Sequence, residues 1–114
     1  MAFCAPQLVY SNGFLNQTSS IGTTALFTPS GEGFFRISVY SDGNAGSGAG
    51  DAQANLTIVS AVGQNYTFGA DGGAGSGGLD TSIFHLNSSH AVSLTVTLTG
   101  TLTYNVYVTI EQLV

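Results

Sequence analysis

The stretch Thr97–Val114, TLTGTLTYNVYVTIEQLV, decides the fold. Two alternating apolar and polar runs meet at Gly100. In the second run Leu102, Tyr104, Val106, Val108 and Ile110 fall on one face, and Thr101, Thr103, Asn105, Tyr107, Thr109 and Glu111 on the other. A period of two is the signature of a strand buried on one side. The first face reads as core. The second is polar but nearly uncharged, with a large aromatic at its middle, and asks for an explanation.

The composition narrows the possibilities. The chain has 114 residues, the length of one domain (1–114), and 43% of them are hydrophobic, enough for a modest core. Only 6% are Asp, Glu, Lys or Arg, against about 25% in ordinary soluble domains. Arg36 is the single basic side chain, and the formal charge is −5. Such a chain cannot neutralise a row of phosphates, so no nucleic-acid partner is expected. An anionic membrane surface would repel it, and no apolar run is long enough for a spanning helix, so no membrane partner is expected either. The N-terminal MAFCAPQLVYSNG lacks the basic and long apolar regions of a secretory signal. Cys4, the lone cysteine, forms no internal disulfide. The patterns at Asn16, Asn55, Asn65 and Asn87 match the glycan acceptor motif, but follow simply from a Ser/Thr/Asn-rich chain.

No window carries a helical stripe, and Thr, Val, Tyr, Phe, Gly and Ser dominate, which favours strands and turns. Residues 1–20 read as an extended N-terminal segment with a turn at Asn12-Gly13. Strands follow in TTALFTP, GFFRISVYS, ANLTIVSAV, NYTFG, TSIFHLN and AVSLTVTLT, and then in the final run. In GFFRISVYS, Phe35, Ile37 and Val39 face one way and Phe34, Arg36, Ser38 and Tyr40 the other. A hairpin around Thr99-Gly100-Thr101, or a bulge at the glycine, would join the last two strands. Seven or eight short strands with turn signals between them imply an all-β fold, an antiparallel β-sandwich of jelly-roll type.

Two glycine-rich segments, SDGNAGSGAGD and GADGGAGSGG, interrupt the pattern and read as long hairpin loops. Residues 43–52 then look dispensable for folding. Neither segment carries the GKS/T of a phosphate loop. Asp42 and Asn44 could open a calcium loop, but Gly46 and Gln53 stand where further ligands are required. A looser site from Asp42, Asp51, Asp71 and Asp80 needs the two loops to be neighbours.

Little else points to chemistry. The only candidate bases are His85, on a strand face opposite Phe84 and Leu86, and His90, at the start of a strand. Neither has the spacing of a zinc motif, and the acids lie mainly in or beside glycine-rich segments, which hold catalytic geometry poorly. The expectation is no enzyme and no cofactor. Arg36 pairs with Glu32 or Glu111, or serves as a contact to an acidic neighbour.

The segment ALFTPSGEGFFRISVYSDG, through Phe27, Pro29, Gly33, Phe35, Arg36, Ser38 and Tyr40, resembles the strand signature of C1q/TNF-like jelly rolls. With Tyr104, Val106, Tyr107, Val108 and Glu111 at the end, it is also similar to small phage and prophage structural proteins. The resemblance implies a homotrimeric jelly roll located in the virion, serving as a capsid decoration, head fibre or tail-associated module. Its partners would be copies of itself and other capsid or tail proteins. The uncharged outer face would then pack on a neighbouring subunit, with Arg36, Tyr104 and Tyr107 at the subunit interface. The alternatives are a lectin-like carbohydrate-binding module, weakened by the absence of Trp, and an ice-binding surface built on the Thr-x-Thr spacing.

Overall fold

The structure is a computed structural model that describes residues 6–60 and 65–114. Eight strands make up the regular structure, with no helix among the described residues. They are β1 Gln7–Gln17, β2 Ile21–Phe27, β3 Gly33–Gly43, β4 Gly50–Ser60, β5 Asn65–Gly73, β6 Gly77–Leu86, β7 His90–Gly100 and β8 Tyr104–Gln112. They form two four-stranded sheets, ordered β1-β8-β3-β6 and β2-β7-β4-β5. Every pairing between these strands is antiparallel. The order has a simple origin. β1, β2, β3 and β4 pair in turn with β8, β7, β6 and β5, so the chain is one long antiparallel ribbon rolled across two layers. That is the jelly roll.

The alternation in the sequence assigns the core correctly. Phe35, Ile37, Val39, Val92, Leu94, Val96, Tyr104, Val106, Val108 and Ile110 are all buried. The register explains why: Ile37 stands opposite Ile110 and Val39 opposite Val108 across β3 and β8, while Val96 and Leu94 stand opposite Ala54 and Leu56 across β7 and β4. Paired residues share a face, so each inward row crosses its sheet without a break.

Four expectations are corrected. Asn12-Gly13 is not a turn: it lies within β1, opposite Val108 and Tyr107. Residues 1–20 therefore include an eleven-residue strand rather than only a lead-in. The Gly100 hairpin is absent because β7 and β8 belong to different sheets. Gly100, at φ 89°, ends β7, and Leu102 in the crossing segment is fully buried. Tyr104 has no exposed surface and cannot lie at a subunit interface. Its hydroxyl donates to the Ser19 carbonyl at 2.7 Å, tying β8 to the β1–β2 connection. Cys4 lies outside the described residues.

The fourth correction concerns the glycine-rich segments, most of which are strand. Only residues 44–49 and 74–76 connect β3 to β4 and β5 to β6. Here the sheets meet backbone to backbone. A Cβ on Gly72 would sit 2.6 Å from Asp42 Cα and 2.7 Å from Ser41 C, in the opposite sheet. A Cβ on Gly43 would collide with the carbonyl of Gly73, and one on Gly78 would come within 2.6 Å of the Asp71 carbonyl oxygen. Only glycine permits such an approach. Hydrogen bonds fix it: Ser41 Oγ, fully buried, donates to the Ala52 carbonyl at 3.0 Å, Gly43 N donates to Ser76 O at 3.2 Å, and Gly75 N donates to Gly43 O at 2.9 Å. Residues 43–52 are thus not dispensable. Ala52 is fully buried, and Gly50–Ala52 pair with β7 on one side while Asp51 and Ala52 pair with β5 on the other.

Two outcomes test this. Gly72→Ala forces backbone apart and should cost about 2–3 kcal/mol, whereas Gly22→Ala, whose Cβ meets nothing within 4 Å, should stay within about 0.5 kcal/mol of wild type. Urea titration reads both. The second outcome concerns Tyr104, whose phenol is raised above the ordinary value of 10.0 by desolvation. The stability held by the neutral phenol is complete below pH 10 and is lost as pH rises through the higher folded value. Tyr104→Phe should cost about 1 kcal/mol at neutral pH through the lost hydrogen bond, yet show a shallower alkaline limb in a melting-temperature profile.

Candidate assembly surface

The outer face of sheet β1-β8-β3-β6 is the surface the opening stretch left unexplained. Register sets its rows. Leu8, Glu111, Arg36 and Ile83 lie side by side across the four strands, followed by Ser11, Thr109, Ser38 and Thr81, and then by Gly13, Tyr107, Tyr40 and Leu79. At one end Phe34 stands beside His85, and at the other Asp42 beside Asn105.

Aromatic rings use the bare backbone of glycines on this face. Tyr107 and Tyr40 contact each other at 6.0 Å between centroids. A Cβ on Gly13 would sit 3.3 Å from the Tyr107 ring, and one on Gly77 would run into the Tyr40 hydroxyl. Each tyrosine thus lies against a glycine of the neighbouring edge strand, an arrangement that shields the exposed ladder. This explains Gly13 where a turn was expected.

Charge on the face is locally paired. Arg36 Nη1 stands 3.4 Å from Glu111 Oε1, its directly opposed partner on β8. His85 Nε2 lies 3.0 Å from Glu32 Oε1, and its ring contacts Phe34 at 4.9 Å. Both pairs are solvent-accessible and contribute little to stability. At the far end amides replace charges. Asn105 Nδ2 donates to Asp42 Oδ1 at 2.8 Å and to Asn44 Oδ1 at 2.7 Å, and Asn105 Oδ1 accepts from Asn16 N at 2.9 Å. Asn16 adopts φ 54°, a conformation asparagine tolerates better than most residues. The cluster ties the end of β1 to β8 and β3.

Exposed apolar side chains gather here. Of nine large hydrophobic residues exposed among the described residues, six lie on this face: Leu8, Leu15, Phe34, Leu79, Ile83 and Tyr107. The outer face of the other sheet is different in kind. Its rows run through Gln53, Thr97 and Asp71, then Asn55, Thr95 and Gly69, then Thr57, Ser93 and Thr67. That surface is hydroxyl and amide with the carboxylates of Asp51 and Asp71, and Val59 is its one exposed large apolar side chain among the described residues.

Of the three residues expected at an interface, the structure places Tyr107 and Arg36 on this face, one strand apart, and Tyr104 in the core. The sequence reading missed Leu8, Leu15, Leu79 and Ile83, which lie on the two edge strands. The acids considered for calcium are spread over β3, β4, β5 and β6. No group of three or more His, Cys, Asp or Glu that could hold a metal occurs among the described residues.

No family model matches the sequence, and no curated protein is significantly similar to it. Solved structures do share its architecture. The PRD1 vertex protein P5 superposes with a TM-score of 0.58 at 12% identity, covering 100% of each chain. Murine APRIL at pH 5.0 gives 0.52 at 9% identity, over 87% of this chain and 97% of that one. The CBM22-1 xylan-binding domain from Paenibacillus barcinonensis Xyn10C gives 0.50 at 12% identity, over 98% of each. At these identities the likeness is one of fold: the chain is an eight-stranded jelly-roll sandwich of the kind found in a vertex protein, in APRIL and in a xylan-binding module.

Proposed function

We propose that this protein is a structural subunit of a virion, a capsid decoration, head fibre or tail-associated module that assembles as a closed homotrimer. One observation carries the reading. Among the described residues, six exposed large apolar side chains share one sheet face, while the opposite face is polar, built of hydroxyls, amides and the carboxylates of Asp51 and Asp71. An apolar surface concentrated on one face of a small domain marks a contact with another protein, and interface cores are poor in charge and rich in Tyr and Phe. Tyr107 and Arg36 lie near subunit contacts in this reading, and the role is structural rather than catalytic. Closure into a ring keeps such a contact from propagating into filaments. The match to the PRD1 vertex protein P5 along the whole of both chains supports an architectural role. The resemblance to small phage structural proteins points the same way.

A second reading has its own observation. The Tyr107–Tyr40 pair lies open on the sheet and could stack on a sugar, and a xylan-binding domain has the same fold. Native mass spectrometry and light scattering decide between the two. The trimer reading predicts three times the chain mass of 11.6 kDa at micromolar concentration. It also predicts that Tyr107→Asp shifts the protein to monomer or to insoluble material, because a carboxylate is forced into a desolvated contact. A wild-type protein that stays monomeric and binds on a glycan array would replace the first reading with the second.

A further inference from the structure

The two sides of the sandwich are closed differently. On the β5–β6 side, the backbones of Gly72, Gly73 and Gly78 seal the layers. On the β1–β2 side nothing comparable occurs among the described residues. Every fully buried hydrophobic residue among them lies at Phe35 or later. β1 and β2 are sheet edges, each paired with one neighbour. Their apolar side chains packed on the core, Val9, Tyr10, Phe14, Ile21, Leu26 and Phe27, are only partly buried, and they make up six of the nine such residues among those described. Leu8 and Leu15 beside them are 62% and 50% exposed. Among the described residues the core is therefore least covered along this side.

Charge is missing from the same side. No Asp, Glu, Lys, Arg or His occurs anywhere before Glu32. Natural edge strands are ordinarily guarded by charge, proline or a bulge that turns them away. β1 has eleven residues and β2 seven, with neither charge nor proline, although both carry register shifts. β6, an edge of the same sheet as β1, carries Asp80 and His85. In a chain of net charge −5, an uncharged wall is where two copies meet without like-charge repulsion. An external partner selected by charge would find nothing here to recognise.

We infer that the β1–β2 side is where copies of this chain meet, β1 of one copy lying against β2 of the next around a threefold axis. The threefold axis rests on the trimer proposed above. In a ring of three identical subunits every contact joins two unlike surfaces, and the wall offers two unlike strips. A strand of eleven residues is about 36 Å long, and the roughly 10 Å between sheets widens to about 20 Å with side chains. The wall is thus on the order of 700 Å² per subunit, shared between its two contacts in the ring, so each contact is small and the three close one another. Tyr107, packed over Gly13 of β1, is covered at the β1 margin of this contact, and Arg36 lies two strands away from β1.

Charge placed on the wall tests the inference. Leu15→Asp alters an exposed position and should leave the sheet spectrum intact while converting the trimer to monomer in native mass spectrometry. Thr97→Asp, on the outer face of the other sheet, should leave the trimer unchanged. A second measurement covers the case where Leu15→Asp does not fold. In a Cys4→Ser background, Leu15→Cys and Gly22→Cys proteins are prepared separately, mixed and treated with a short bis-maleimide. Linked pairs of unlike chains are expected, with far fewer linked pairs in either protein alone. A wild-type monomer would overturn both the trimer and this contact. A wild-type trimer that withstands Leu15→Asp and gives no mixed cross-link would leave the trimer standing and overturn the β1–β2 contact alone.

Discussion

The contact between the backbone of Gly72 and that of Ser41 and Asp42 governs the shape of the molecule. Two sheets covered by side chains stand about 10 Å apart. Glycines on β3, β5 and β6 let the layers touch at one side. The buried Ser41 hydroxyl on the Ala52 carbonyl then satisfies a polar group that would otherwise be costly there. With that side sealed, the crossings from β3 to β4 and from β5 to β6 need only short connections. β3 and β8 become the centre of one sheet, β4 and β7 the centre of the other. The register shifts of β1 and β2 fall on the other side, where the core is least covered among the described residues.

Much of this was legible from alternation. Val106, Val108 and Ile110 declare an inward face because each is separated from the next by one polar or outward residue, and the same holds for Phe35, Ile37 and Val39. Local sequence says nothing of partners far away in the chain. That Gly100 joins strands in different layers follows from β8 pairing with β1 and β3 rather than with β7. The glycine-rich segments misled for a related reason. Glycine signals a loop when its flexibility is used, and a close approach when its missing side chain is used. Only the strand across the sandwich shows which applies at Gly72. Asn12-Gly13 carries the same ambiguity, resolved by the Tyr107 ring lying over it.

The assembly surface was half legible. Tyr107 stood out as an aromatic on a polar face, and Arg36 as the only cation. Tyr104 sat on the inward face all along, and its burial follows from the alternation that placed Val106 beside it. Leu8 and Leu15 could not be seen, because the segment that carries them was not read as a strand. Once β1 is in place, they line up with Tyr107 into an apolar rim. The low charge of the whole chain then takes on a spatial meaning. The charges it has lie at Glu32 and beyond, and the part of the fold without them is the part whose core is least covered.

Hydrogen exchange on the wild-type protein at two concentrations, one on each side of subunit dissociation, tests this account most directly. Amides along a free strand edge exchange fast, and those covered by a neighbouring subunit exchange slowly. Protection that grows with concentration and concentrates in Gln7–Gln17 and Ile21–Phe27 is the predicted result. Exchange in β1 and β2 that does not depend on concentration, or protection gained instead on the edge strands β5 and β6, would contradict it.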